Sequence, residues 1–180
     1  MTRVPQALAA AFRACARRGV VPTRHVLAVN IARQTTSLFQ RQHDGYALRK
    51  IFRCSTSRYG AGETAGSYMT PRGLHRVARK IGGGWPVGAA FKGRQFMGYT
   101  WQGLPGAPIT HRILWLEGLE PGFNRGGKVD SFQRCIYIHG AANETALGRP
   151  DSRGCVHLSA DDLLPLYDNL PEGSLVWIAI

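Results

Sequence analysis

The sequence predicts a mainly β, single-domain protein with one or two peripheral α-helices. After Pro22 the chain becomes a series of short runs rich in β-branched, aliphatic and aromatic residues, punctuated by Gly, Asn, Asp and Pro. Only two stretches carry a helical period. The 180 residues are 44% apolar and 19% charged, which suits one domain with its own core and excludes a disordered polycation.

The first helix is expected over Pro5–Arg18, with Pro near its first turn, Gly19 ending it, and Leu8, Phe12 and Cys15 forming one buried stripe. Strands follow at His25–Ile31, Thr35–Gln40 and Tyr46–Cys54, the last two joined by an Asp44-Gly45 turn that reads as a hairpin. Further strands are expected at Gly73–Ile81, His111–Leu116, Arg134–His139 and Ser174–Ile180. A second helix is expected over Ser159–Asn169. Ser159 serves as N-cap, Asp161 and Asp162 lie at the positive end, and Leu163, Leu166 and Leu170 form the stripe. Pro165 interrupts its hydrogen bonding. Gly82–Pro108 stands apart, with eight glycines and the aromatics Trp85, Phe91, Phe96, Tyr99 and Trp101. It fits either a mobile lid or an irregular hairpin packing its aromatics on the sheet.

The formal charge of +12 invites a nucleic-acid reading, because phosphate contacts dominate such binding. Its distribution argues otherwise. Residues 1–60 carry a balance of +10, residues 61–120 carry +4 and residues 121–180 carry −2. The arginines are spread among strands and no recognition-helix pattern is present, so a basic polymer-binding module without catalysis stays a remote alternative. No stretch approaches the roughly 18 apolar residues that cross a bilayer. Arg13, Arg17 and Arg18 break any secretory h-region, which leaves a cytosolic chain or one without its leader. Cys15, Cys54, Cys135 and Cys155 contain no C-x-x-C pair, so neither a zinc site nor another cofactor is expected.

Chemistry concentrates in residues 134–158, RCIYIHGAANETALGRPDSRGCVHL. In an extended Arg134–His139, Cys135, Tyr137 and His139 share one face, and Gly140 leaves His139 at the strand rim. Gly154 directly before Cys155 lets backbone N–H groups approach a substrate. A nucleophilic thiol needs such donors and a nearby imidazole base. Read singly, a cysteine such as Cys155 is more often a small buried hydrophobe, and a histidine such as His139 more often a strand-end residue with its hydrogen bonds satisfied.

The stretch IYIHG…GRPDSRGCVHL resembles the active-site signature of L,D-transpeptidases with a YkuD-type catalytic domain, His-Gly followed by Ser-His-Gly-Cys. The resemblance extends upstream through VLAVNIARQTTSLFQRQHDGYALRKIFRCSTSRYGAGETAGSYMTPRGLHRV, and covers roughly residues 25–180. It implies a single YkuD-like domain, a mixed β-sheet or β-sandwich, over 25–180, with 1–24 as a helical extension. It also implies the roles. Cys155 would be the nucleophile on a peptidoglycan stem peptide, His139 the general base and acid, and the Gly140 carbonyl the group that orients its imidazole. Backbone N–H groups around Gly154 and Cys155 would form the oxyanion hole, and Ser152 would brace the loop. Two positions depart from the pattern. Arg153 replaces the usual histidine, bringing a cation that favours thiolate and could hold a substrate carboxylate. His157 stands where Arg or Asn is usual and is an alternative proton carrier. Arg149 and Tyr68 are further candidates for substrate contact. The implied activity is a cysteine acyltransfer through a thioester, crosslinking stems in cell-wall biogenesis. An L,D-carboxypeptidase with water as acceptor is the alternative. The implied location is the periplasm or cell envelope, with all four thiols reduced and the basic N-terminal third attracted to the anionic envelope.

Overall fold

A computed structural model describes residues 4–104, 109–141 and 143–180. Its strands in chain order are β1 (His25–Asn30), β2 (Thr35–Gln42), β3 (Gly45–Arg53), β4 (Gly73–Ile81), β5 (Ala89–Lys92), β6 (Gln95–Tyr99), β7 (Ile109–Gly118), β8 (Tyr137–Gly140), β9 (Val156–Leu158) and β10 (Leu175–Ala179). They form one sheet in the order β3-β2-β1-β10-β4-β7-β5-β6, with β8 added on β7 and β9 on β8. The β1–β10 and β8–β9 pairs are parallel and the others antiparallel, so the sheet is mixed.

Strand alternation decides the layers. Leu27, Val29, Leu114, Leu116, Ile138, Val156, Val176 and Ile178 point to one face, where α2 (Ala160–Asn169) covers them with Leu163, Leu166 and Tyr167. Ser159 caps α2 by accepting the Asp162 N–H at 3.2 Å, and Pro165 lies inside the helix. The intervening residues Val26, Phe39, Leu74 and Leu175 meet α1 (Gln6–Arg18) through Leu8, Ala14 and Cys15. Gly19, at φ +64°, ends α1 with its N–H on the Ala16 carbonyl. Ile113, Trp115 and Tyr137 leave the face opposite α2 and build a separate cluster with Ala89 and Phe91. Burying one large aliphatic or aromatic side chain is worth roughly 1.5–3 kcal/mol, so these three clusters carry the fold.

Three expectations change. Gly82–Pro108 contains the β5–β6 hairpin, the second of its two readings, with 105–108 outside the described residues. Trp85 stacks on Phe96 at 4.0 Å and Tyr99 on Trp101 at 4.5 Å, an aromatic ladder along that hairpin. The strand expected from Arg134 begins only at Tyr137. Cys135 sits in a turn at φ +56°, which a strand cannot accommodate, so it does not share a strand face with His139. The short β9 was not foreseen, because three residues are too few for a period to show.

Candidate active site

The parallel pairing of β8 with β9 assembles the site. Its register sets Ile138 opposite Val156, His139 opposite His157 and Gly140 opposite Leu158. Ile138 and Val156 are drawn into the core under α2, which turns His139 and His157 to the other face. Their rings stand 4.6 Å apart between centroids. Cys155 lies two residues before His157, on the same face of the chain, and packs in the cluster of Tyr137 and Trp115. The tertiary structure thus gathers Cys155, His139 and His157 around one edge of the sheet.

His139 is 2% exposed, and its Nδ1 is 2.9 Å from the Gly140 carbonyl oxygen. A carbonyl only accepts, so Nδ1 carries the proton and Nε2 keeps the lone pair. Burial lowers the His139 pKa to about 3, helped by the proximity of His157 and His111 and opposed by the bond to Gly140. Burial also lowers His157 to about 4. Burial pushes the Cys155 thiol up to about 11, against the Tyr137 backbone hydrogen bond and the Arg134 charge, both of which lower it. Near neutral pH the resting partners are therefore a thiol and neutral imidazoles, with no thiolate–imidazolium pair. The Cys155 Sγ lies 3.5 Å from the Cys135 carbonyl oxygen. All four cysteines carry free thiols.

The turn before Cys155 is braced from below. Ser152 Oγ donates to the Cys155 carbonyl at 2.6 Å and accepts the Gly154 N–H at 3.2 Å. The Ser152 N–H donates to the Thr56 carbonyl at 3.0 Å. Gly154 adopts φ +117°, which a side chain would strain, and an added Cβ would also crowd the Met69 carbonyl oxygen at 3.3 Å. Its N–H, expected in the oxyanion hole, is engaged by Ser152 because that side chain folds back under the turn.

The remaining expected residues divide. Arg153 is exposed and lines a cavity of about 320 Å³ together with Tyr68, Gly66, Asp130 and Arg134. Tyr68, at φ +57°, is largely exposed, its ring 6.2 Å from Tyr59. Arg149 does not reach this cavity; its carbonyl accepts from Ser55 Oγ at 2.8 Å and its side chain is exposed. Of the two arginines that line this cavity, Arg134 is the one whose charge lowers the Cys155 pKa, and Arg153 is exposed to solvent.

Arg134 was not anticipated. Its guanidinium donates to the Gly62, Glu63 and Met69 carbonyls, at 3.2, 2.6 and 2.7 Å, tying the 62–69 segment beneath the turn that leads to Cys155. His111 was not anticipated either. It is 8% exposed, adopts φ +66°, and accepts the Gly88 N–H on Nδ1 at 2.8 Å. The sequence signals neither, since a lone arginine or histidine beside a strand has no distinguishing spacing.

A family model, YkuD, the L,D-transpeptidase catalytic domain, matches residues 24–178. A search of curated proteins finds no match. Among solved structures, the chain is similar to an L,D-transpeptidase from Mycobacterium smegmatis at 16% identity and TM-score 0.53, covering 87% of this chain and 59% of that one. It is similar to Bd1075 of Bdellovibrio bacteriovorus at 16% identity and TM-score 0.59, covering 87% and 48%. It is also similar to L,D-transpeptidase 3 from Mycobacterium tuberculosis, in complex with a faropenem-derived adduct, at 17% identity and TM-score 0.53, covering 87% and 60%. The chain thus spans about half to three-fifths of the length of these structures, and at such identities the likeness is one of fold.

Proposed function

The chain belongs to the L,D-transpeptidase catalytic-domain family, and on that premise we propose that it is a cysteine acyltransferase acting on peptidoglycan stem peptides. The observation that carries this is the β8–β9 pairing, which sets a buried imidazole of fixed tautomer one strand away from the segment that Cys155, a partly buried thiol, leads into. Cys155 Sγ attacks the carbonyl that joins an L-centre to a D-amino acid, while His139 Nε2 takes the thiol proton. The C–N bond breaks, the amine leaves with that proton, and a thioester remains on Cys155. A second amine then attacks the thioester and gives its proton to His139, releasing the thiol and forming the crosslink.

The Gly140 carbonyl stabilises the imidazolium that forms in between, through the Nδ1–H bond. Backbone N–H groups at Gly154 and Cys155 face the developing oxyanion, with Gly154 exchanging its long bond to Ser152. Arg153 and Tyr68 line the cavity beside the turn and hold the stem, Arg153 through a carboxylate. Arg149, away from this cavity, would meet only an extended substrate. His157 holds the His139 ring from its free side and is a second proton carrier within reach of the same face. Every described Lys and Arg in the first sixty residues is exposed, which supports docking on an anionic envelope as the working location.

Incubation with a disaccharide-tetrapeptide tests the reading. Intact-mass spectrometry should find a covalent adduct that maps to Cys155 and is absent in Cys155→Ala. An adduct that persists in Cys155→Ala would overturn the assignment. Product masses then decide the acceptor, since a dimer reports an amine and a tripeptide alone reports water.

A further inference from the structure

We propose that His111 is a positioning residue of this site, a rigid imidazole spacer that sets the Gly140 carbonyl on one side and the β5–β6 hairpin on the other. The role in acyl transfer rests on the function proposed above; the positioning itself rests on geometry alone.

The backbone shows the first sign. The β7–β8 register slips between Thr110 and Ile113, so His111 and Arg112 form a bulge facing the end of β8. Within that bulge His111 takes φ +66°, a left-handed conformation that only a few per cent of residues other than glycine adopt, histidine more readily than most. Strain of this kind persists only where surrounding contacts over-determine it, and it clusters at functional sites.

Those contacts lead in two directions. Toward β8, the ring occupies the space where Gly140 would carry a side chain. A Cβ built there would lie 2.3 Å from His111 Cδ2, 2.7 Å from the Thr110 carbonyl oxygen and 2.9 Å from Thr110 Oγ1. Gly140 therefore has no room for a side chain, because His111 and Thr110 together fill the place. The same Gly140 carbonyl accepts the His139 Nδ1–H and fixes which nitrogen is the base.

Toward the hairpin, His111 Nδ1 accepts the Gly88 N–H at 2.8 Å. Gly88 is itself held on every side. It adopts φ +87°, its carbonyl accepts the Thr100 N–H at 2.9 Å, and the Trp101 ring lies against its Cα. The hairpin that Gly88 opens supplies Phe91, and Phe96 and Tyr99 pack in the same cluster as Cys155. One ring thus joins the general base's orienting carbonyl to the hairpin that packs around the nucleophile. An acceptor at Nδ1 requires the proton on Nε2, and burial, which lowers the His111 pKa, keeps the ring in that neutral form.

The test uses the whole chain and two variants. His111→Ala removes the spacer. His111→Asn keeps an acceptor oxygen near the Nδ1 position and tolerates positive φ. Two readouts need no peptidoglycan: hydrogen exchange at the Gly88 amide, and the rate at which iodoacetamide alkylates Cys155 at pH 7.5, read by peptide mass spectrometry. The third is kcat and KM for acyl-enzyme formation on a stem tetrapeptide. His111→Ala is expected to accelerate Gly88 exchange at least tenfold, and to slow alkylation and lower kcat by about tenfold with KM little changed, as misplacement of a base does. His111→Asn is expected to return all three to within about threefold of the parent. Unchanged exchange and alkylation in His111→Ala would overturn the proposal, as would a folded His111→Asn as impaired as the alanine variant. Should the parent form no acyl-enzyme while exchange and alkylation respond as expected, the function falls and the positioning stands.

Discussion

His139 faces His157 directly across parallel β8 and β9, ring centroids 4.6 Å apart, each held neutral by burial. Only His139 has its Nδ1 tied to the Gly140 carbonyl, and that tie is what assigns it the base in the proposed reaction. His139→Ala should cut acyl-enzyme formation by about 10²–10⁴-fold, the usual worth of a general base. His157→Asn should cost no more than about tenfold, and in it the His139 pKa should rise, because the proximity of His157 is one cause of its depression. Single-turnover kinetics and an NMR titration read both. A larger loss at His157 would exchange the two roles.

Cys155 rests as a thiol pushed up to about 11. Its alkylation by iodoacetamide should therefore be slow at pH 7 and rise steadily through pH 9, without a plateau between pH 5 and 7. An ion pair would give the opposite profile, a rate already at its maximum in that acidic window.

Ser152→Ala leaves the Cys155 carbonyl and the Gly154 N–H without their partner inside a buried turn. A loss of about 1–3 kcal/mol is expected from the unsatisfied groups. Urea unfolding measures it, and kcat should fall more than KM rises because the nucleophile turn loosens.

Arg153 faces the cavity beside the turn and does not hold the thiol. Arg153→Ala should raise KM for a donor stem several-fold with kcat nearly constant, the signature of lost uniform binding. A collapse in kcat with unchanged KM would instead place Arg153 at the reacting bond.

Acid should unfold the protein earlier than its carboxylates alone would require. Burial holds His75 and His157 at about 4 and His139 at about 3, below the ordinary 6.5. Between pH 6.5 and about 4 the unfolded chain binds protons that the native chain refuses, so stability falls as pH falls. The loss approaches about 1.4 kcal/mol per fully buried histidine per pH unit, less for the partly exposed His157. Urea midpoints at pH 7, 6 and 5 test the slope, and a flat series would show that these histidines titrate normally.

Much of the scaffold was legible in advance. Alternation marked β1, β2, β3, β4 and β10 to within two residues at each end, and Ser159 and Gly19 announced the helix boundaries. The motif at 139–140 and 152–155 pointed to the residues that the fold brings together, His139, Gly140, Ser152, Gly154 and Cys155. The strands of the β5–β6 hairpin were obscured because they are short and set among glycines that disguise a strand period, and β9 because it is three residues long. The cation beneath the Cys155 turn and the histidine against Gly140 left no trace in spacing. Arg134 reaches carbonyls some 65–72 positions away, and His111 meets Gly88 across 23.

By itself, then, the sequence determined where the thiols and imidazoles stand along the chain and which face of each strand is apolar, because side-chain chemistry and a two-residue period are local properties. The tertiary structure decided what those groups feel. A thiol raised to about 11, an imidazole lowered to about 3 and a tautomer set by one carbonyl all arise from burial and from partners distant in sequence. Desolvation depends on everything packed around a group, and no run of neighbouring residues encodes it.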